Sequence, residues 1–121
     1  MSVLTWVGVA ALGGVGALAR FLLDGAVSER AGSGFPLGTL AVNATGAMLL
    51  GLVAGLTLRG DALVLVGGAL MGSYTTFSTW MLESHRLGED GEGRAALANV
   101  LVSLAVGLLA VVAGRALGMA L

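Results

Sequence analysis

The stretch "GSYTTFSTW", residues 72–80, places six hydroxyl side chains in nine positions. It lies inside "DALVLVGGALMGSYTTFSTWML", residues 61–82, which has one charged residue at its start and is long enough to cross a bilayer. Hydrogen-bonding groups are costly in lipid unless they meet partners. The stretch therefore predicts a helix break or a polar pathway inside a membrane protein.

Composition supports a membrane protein along the whole chain. Of its 121 residues, 57% are hydrophobic and 11% are charged, whereas soluble domains are about 25% charged. The net charge of −1 gives no basic patch for nucleic acid. There is no cysteine, which excludes disulfides and thiolate metal sites.

Four apolar segments follow one another, and each is long enough to span the hydrocarbon core as a helix. They cover residues 3–27, 37–58, 62–82 and 95–117. The sequence thus predicts an all-α membrane protein with one four-helix transmembrane domain over residues 1–121. The triplet "RGD" (59–61) is expected to be a turn, and "ESHRLGEDGEGR" (83–94) a solvated loop.

The hydroxyl-rich stretch is the expected place for the third helix to break, near its middle. Gly72 has a weak helical preference, and the following Ser and Thr side chains compete for main-chain hydrogen bonds. We therefore expect the break over residues 72–76. A break frees carbonyls that can bind a cation, and neighbouring hydroxyls and amides can donate hydrogen bonds to an anion.

Loop charges give little preference for one orientation in the membrane. Arg59 and Arg115 fall on one side of a four-span chain, and Arg30, Arg86 and Arg94 on the other. Orientation normally follows an asymmetry of Lys and Arg. The near balance, in a bundle too thin to enclose a path, predicts insertion in both orientations and an antiparallel dimer.

Small residues spaced four apart predict close helix packing. The pattern occurs in "GLVAG" (51–55), "GALMG" (68–72) and "GRALG" (114–118). "GGVGALA", from Gly13, resembles a dinucleotide-binding fingerprint but lies inside a span, which favours packing here as well.

Further polar residues fall where they can extend a pathway. Asn43 lies near the middle of the second span, where an unpaired amide would be costly. On the fourth span Asn99, Ser103 and Gly107 share one helix face. Each polar residue alone is accounted for by a helix–helix hydrogen bond, but together with the hydroxyls they favour a lined path. Phe77 and Trp80 share a face just past the expected break, and their positive ring edges can contact an anion.

Three motifs in this order, "GGVGALAR", "GTLAVNATG" and "GSYTTFSTW", closely resemble those of the CrcB/Fluc family of fluoride channels over essentially the whole chain. The resemblance implies passive export of fluoride across the plasma membrane, which relieves fluoride toxicity. It also implies an antiparallel, dual-topology dimer with a central sodium ion (Na⁺) held by the main-chain carbonyls of Gly72 and Thr75. The implied pore residues are Asn43, Phe77, Trp80, Thr39, Ser78, Thr79, Ser103, Arg20 and Glu83.

Two departures from the family pattern leave the partner open. Trp80 stands where the family has a second phenylalanine, and Tyr74 where the residue is usually small or aliphatic. The second subunit is therefore an identical copy or a paralogous one, and lipid is the surrounding partner. One alternative is a small multidrug-type transporter, but that class needs a membrane-buried carboxylate, and the first span here has none before Asp24 near its end. The other alternative is a purely structural membrane subunit. His85 has no partner motif, so an enzyme is not expected.

Overall fold

The computed structural model describes residues 1–32 and 34–121, and every regular element in these ranges is helical. Four helical segments are long and apolar enough to cross a membrane. They are α1 (Val3–Ala31), α2 (Leu37–Gly55), the composite third span (Gly60–Glu89) and α6 (Gly93–Ala120). The predicted all-helical fold with four spans is confirmed.

The spans are longer at several ends than the apolar runs indicated. The N-terminus of α1 is capped by the Ser2 hydroxyl, which accepts a hydrogen bond from the Thr5 N–H at 3.1 Å. The helix ends only at Gly32, whose φ of 57° is a left-handed cap. Hydrophobicity marks where lipid begins, whereas caps determine where a helix ends.

The predicted loop over residues 83–94 is mostly helical, so that expectation was wrong. The helix α5 continues from Ser78 to Glu89, and His85 pairs with Glu89 at 2.9 Å, one turn apart. The chain turns only at residues 90–92, where Gly91 has a φ of 78°. The polar composition of this segment therefore reflects an exposed helix end.

The third span contains the predicted break, at a slightly later position. A turn α3 (Gly60–Ala62) leads into a π-helix (Leu63–Met71) and a second turn α4 (Gly72–Tyr74). Thr75 is extended, with φ −80° and ψ 159°, and α5 starts at Ser78. Gly72 itself is helical, with φ −64° and ψ −35°.

The break therefore covers residues 75–77, and the expectation that it starts at Gly72 was wrong. The Ser73 hydroxyl does not compete with the helix as expected, because it donates to the Ala69 and Leu70 carbonyls at 2.7 and 3.1 Å. These bonds lie within the helix and do not interrupt it.

Glycine-mediated packing of α2 on α6 holds the bundle together. A Cβ on Gly114 would lie 1.9 Å from the Met48 carbonyl oxygen, and one on Gly51 would lie 2.2 Å from that of Val111. Such close main-chain approach is possible only without side chains. The predicted packing roles of "GLVAG" and "GRALG" are confirmed.

The third small-residue motif behaves differently. A Cβ on Gly68 or Gly72 would meet nothing within 4 Å in the part of the chain that the structure describes, and both glycines are exposed. Their surface, called here the Gly68–Gly72 face, therefore packs against nothing in the described part of the chain. The neighbouring α1 packs instead through Gly16, where a Cβ would lie 2.4 Å from the Leu70 carbonyl oxygen.

Candidate functional site

The side chain of Asn43, on α2, holds the break in the third span. Its Nδ2 donates to the Thr76 carbonyl oxygen at 2.7 Å, and its Oδ1 accepts from the Thr76 N–H at 2.9 Å. A carboxamide is suited to this role because it has both a donor and an acceptor. The predicted need of Asn43 for a hydrogen-bond partner is thus met by the main chain of the break.

This clamp leaves two carbonyls without their helical donors. In an uninterrupted helix the Thr76 N–H would bond the Gly72 carbonyl, but it donates to Asn43 instead. Likewise the Thr79 N–H, which would bond the Thr75 carbonyl, donates to the Thr76 hydroxyl at 3.1 Å. The carbonyl oxygens of Gly72 and Thr75 therefore do not accept the N–H groups that they would accept in a continuous helix.

Besides the Thr76 hydroxyl, which accepts from the Thr79 N–H, the hydroxyls of Ser73, Tyr74 and Thr75 are engaged within the protein. Ser73 bonds carbonyls of its own helix, as described above, and Thr75 donates to the Met71 carbonyl at 3.0 Å. The buried Tyr74 hydroxyl contacts the Thr45 hydroxyl at 2.7 Å, and its ring belongs to the small core with Val42 and Met71. These hydroxyls stabilise the helix end and the interhelical contact.

A groove of about 330 Å³ opens beside the break. It brings together four residues predicted for the site, which are Asn43, Phe77, Trp80 and Ser103. The rings of Phe77 and Trp80 meet edge to face, with centroids 5.8 Å apart and an interplanar angle of 86°. Phe77 is 70% exposed, so most of its ring lies on the surface of the chain. We call this space the aromatic groove.

The aromatic groove is largely apolar elsewhere. Its other walls come from α2 and α6, and its polar groups are few and close to the break. The remaining lining residues are Ala47, Leu50, Thr75, Thr76, Leu104, Gly107 and Leu108.

A second cavity, of about 180 Å³, lies on the other side of Thr76 and is called here the vestibule. It contains three more predicted residues, Arg20, Thr39 and Thr79. The Thr39 hydroxyl donates to the carboxylate of Glu83, which brings that residue to the same region. Thr76 lines both spaces, so the break separates the vestibule from the aromatic groove.

Two predicted residues, Glu83 and Ser78, are absent from the described linings of both spaces. Glu83 lies beside the vestibule through its bond with Thr39. Ser78 is exposed at the start of α5, and its hydroxyl lies 3.5 Å from that of Thr76.

Sequence reasoning missed the setting of Trp80. Its indole Nε1 donates to the Asn99 carbonyl oxygen at 3.0 Å, and its own carbonyl accepts from Ser84 at 2.9 Å. Asn99 was noted only as part of a polar stripe with Ser103 and Gly107. The spacing of four between Trp80 and Ser84 could have indicated the bond between them. It is not specific to a functional site, however, because serines in helices commonly bond a carbonyl of their own helix.

Comparison with known proteins gives a family and close relatives. The family model for CrcB-like protein, Camphor Resistance (CrcB), matches residues 7–115. The chain is 56% identical to "Fluoride-specific ion channel FluC 2" of Mycolicibacterium paratuberculosis, over 96% of this chain and 95% of the relative. It is 52% identical to the protein of that name from Mycobacterium tuberculosis, with 95% and 91% covered. It is 42% identical to "Fluoride-specific ion channel FluC 1" of Symbiobacterium thermophilum, with 95% and 98% covered. With four spans, a broken third helix and matches along nearly its whole length, this multi-pass membrane protein belongs to the CrcB family.

Proposed function

We propose that this chain is a fluoride-specific ion channel that lets fluoride leave the cell passively and so relieves fluoride toxicity. The names of its relatives support this function and favour it over a multidrug-type transporter or a purely structural subunit. The site supports it through the aromatic groove beside the break, which combines hydrogen-bond donors with aromatic edges.

The observation that carries the proposal is the position of the Asn43 amide at the groove. Fluoride is small and strongly hydrated, so it enters a low-dielectric region only where protein groups replace its water. One Nδ2 hydrogen of Asn43 bonds the Thr76 carbonyl, and the amide carries a second one that is available to an anion. The edge of Phe77, 70% exposed, supplies a weaker positive contact.

The path we propose runs from the vestibule past Thr76 into the aromatic groove. Arg20 and Asp24 both line the vestibule, so Arg20 would act on the anion by direct contact and not through a net positive charge of that space. Thr79 supplies a hydroxyl there. The one hydrogen of the Thr39 hydroxyl is donated to Glu83, so Thr39 would donate to fluoride only when that bond opens. Ser103 continues the path along α6. Ser78, exposed at the start of α5, would reach the ion only from a surface covered by a partner.

An antiparallel dimer is part of the proposal. The aromatic groove is open on one side, Phe77 projects from it, and the Gly68–Gly72 face has no partner within the described chain. A second subunit in the opposite orientation would cover these surfaces. The nearly equal Arg count on the two sides supports such a pair.

A structural Na⁺ fits the carbonyls at the break. The donors that would bond the Gly72 and Thr75 carbonyls in a continuous helix are both diverted, to Asn43 and to the Thr76 hydroxyl. Main-chain carbonyls of a broken membrane helix are suitable Na⁺ ligands. In a dimer, Gly72 and Thr75 of both subunits would hold the ion and fix the two breaks against each other.

The test is fluoride efflux from liposomes that contain only this chain. We expect fluoride to leave on addition of an ionophore that balances charge, while chloride remains inside. Liposomes without protein give the baseline. Efflux equal to that baseline would refute a channel made from this chain alone, and restoration by a co-reconstituted family subunit would indicate a heterodimer.

A further inference from the structure

A buried polar cluster joins α5 to α6 beside the aromatic groove. At its centre is Asn99, which is 1% exposed. Its Nδ2 donates to the Ser84 hydroxyl at 2.8 Å, and its Oδ1 accepts from the Ser103 hydroxyl at 3.3 Å. A buried amide with both functions satisfied fixes the groups around it, because any rearrangement leaves a polar atom without a partner.

The same cluster holds Trp80 at two points. The Asn99 main-chain carbonyl accepts from the indole Nε1 at 3.0 Å. Ser84, which Asn99 binds, donates to the Trp80 carbonyl at 2.9 Å. The indole plane and the helix that carries it are therefore both tied to Asn99.

The orientation of Trp80 determines the shape of the aromatic groove. Its ring lines that groove and meets the ring of Phe77 edge to face at 5.8 Å. A free indole would have several rotamers, and each would present a different part of the ring to the path. The hydrogen bond of Nε1 selects one of these rotamers. A phenylalanine at this position has no ring N–H and makes no such bond.

We propose that Asn99 is a positioning residue for ion passage, an inference that rests on the proposed channel function. Its side chain binds Ser84 and its main-chain carbonyl receives the indole N–H, and together these bonds keep the Trp80 ring against Phe77. Its Oδ1 also accepts the hydrogen of the Ser103 hydroxyl at the edge of the groove. Asn99 acts on the ion through these neighbours and does not contact it.

The decisive experiment compares Asn99→Leu in two backgrounds, the native chain and Trp80→Phe. Asn99→Leu leaves the main-chain acceptor of the indole in place and removes the side-chain bonds to Ser84 and Ser103. If the bond to Ser84 holds the helix that carries the indole, the change slows fluoride efflux about tenfold in the native chain, in line with the loss of a buried hydrogen bond. In the Trp80→Phe background the same change has less than about a twofold effect, since coupled residues are non-additive. An equal loss in both backgrounds would show a merely structural role and overturn the inference.

A second readout follows the ring itself. In a Trp6→Phe background Trp80 is the single tryptophan, and we expect its fluorescence anisotropy to fall when Asn99 is replaced by Leu. Unchanged anisotropy overturns the inference. Because this measurement needs no ion flux, it tests the positioning of Trp80 separately from the channel function. A chain that conducts no fluoride would refute the proposed function without changing the result for Trp80.

Two further variants keep the test sound. If Asn99→Leu does not fold, Ser84→Ala breaks the same cluster with a smaller change and must give the same pattern of flux and anisotropy. Thr5→Val is the matched control, because it removes another buried interhelical bond, from Thr5 to Asp61 at 2.5 Å, far along the chain from the groove. We expect it to leave the Trp80 anisotropy unchanged, and a fall there equal to that in Asn99→Leu would contradict the inference.

Discussion

Asn43 bonds both main-chain groups of Thr76, accepting from its N–H at 2.9 Å and donating to its carbonyl at 2.7 Å. One side chain on α2 thereby replaces the helical bonds that the third span loses at its break. The same residue lines the aromatic groove. Replacing Asn43 will therefore alter the structure of the break and the donor offered to the ion together.

We predict that Asn43→Asp abolishes fluoride efflux and lowers stability. The carboxylate keeps the acceptor for the Thr76 N–H but turns a negative oxygen towards the Thr76 carbonyl, which costs about 1–3 kcal/mol of unfolding free energy. Efflux from liposomes and thermal unfolding in detergent measure the two effects. Asn43→Ala removes both bonds without adding charge and separates loss of the clamp from repulsion. Normal efflux in Asn43→Asp would contradict the proposed path.

Phe77→Ile should abolish efflux with little effect on stability. The ring is 70% exposed in the subunit, so little packing within the chain is lost, but the positive ring edge disappears. Trp80→Phe is the companion variant: it keeps an aromatic ring beside Phe77 and should keep or raise the flux. Efflux at the native rate in Phe77→Ile would show that fluoride does not pass this ring.

The residue types predicted the fold well, because hydrophobic length and small-residue spacing act locally along a helix. The position of the break was predicted three residues too early, since it depends on Asn43 from another helix and on the Ser73 hydroxyl, which bonds within its own helix. The hydrogen bond of Trp80 to the Asn99 carbonyl was not predictable, because main-chain acceptors leave no signal in the sequence.

Gly114→Ala should destabilise the bundle. Its Cβ would lie 1.9 Å from the Met48 carbonyl oxygen, so α2 and α6 must separate, at a cost of about 1–3 kcal/mol for overpacking. Thermal unfolding in detergent measures this. Gly25→Ala is the control, because nothing lies within 4 Å of its Cβ position in the described residues. Equal unfolding temperatures of the two variants would contradict the close α2–α6 contact.

Gly72→Val tests the proposed dimer surface. Gly72 is helical and a Cβ there meets nothing within 4 Å in the described part of one subunit, so valine fits a single chain. We expect the fold to persist while dimerisation and efflux are lost, because the side chain would crowd the partner. Gly25→Val is the matched control on α1. Light scattering in detergent reports the mass, and a dimeric, active Gly72→Val protein would exclude the Gly68–Gly72 face as the interface.

The nearly balanced arginines predict that the chain inserts in both orientations. The chain has no cysteine, so a single one introduced as Asp90→Cys reports the turn between α5 and α6, which the structure restricts to residues 90–92. Leu121→Cys reports the opposite end of the bundle, at a residue that is 83% exposed, and it leaves every arginine in place. A membrane-impermeant thiol reagent applied from outside, before and after permeabilisation, should label about half of each variant, as expected when Lys and Arg give no bias. Labelling of Asp90→Cys from one side only, with Leu121→Cys labelled from the other, would exclude the antiparallel homodimer. The path would then need a partner of opposite orientation from another chain.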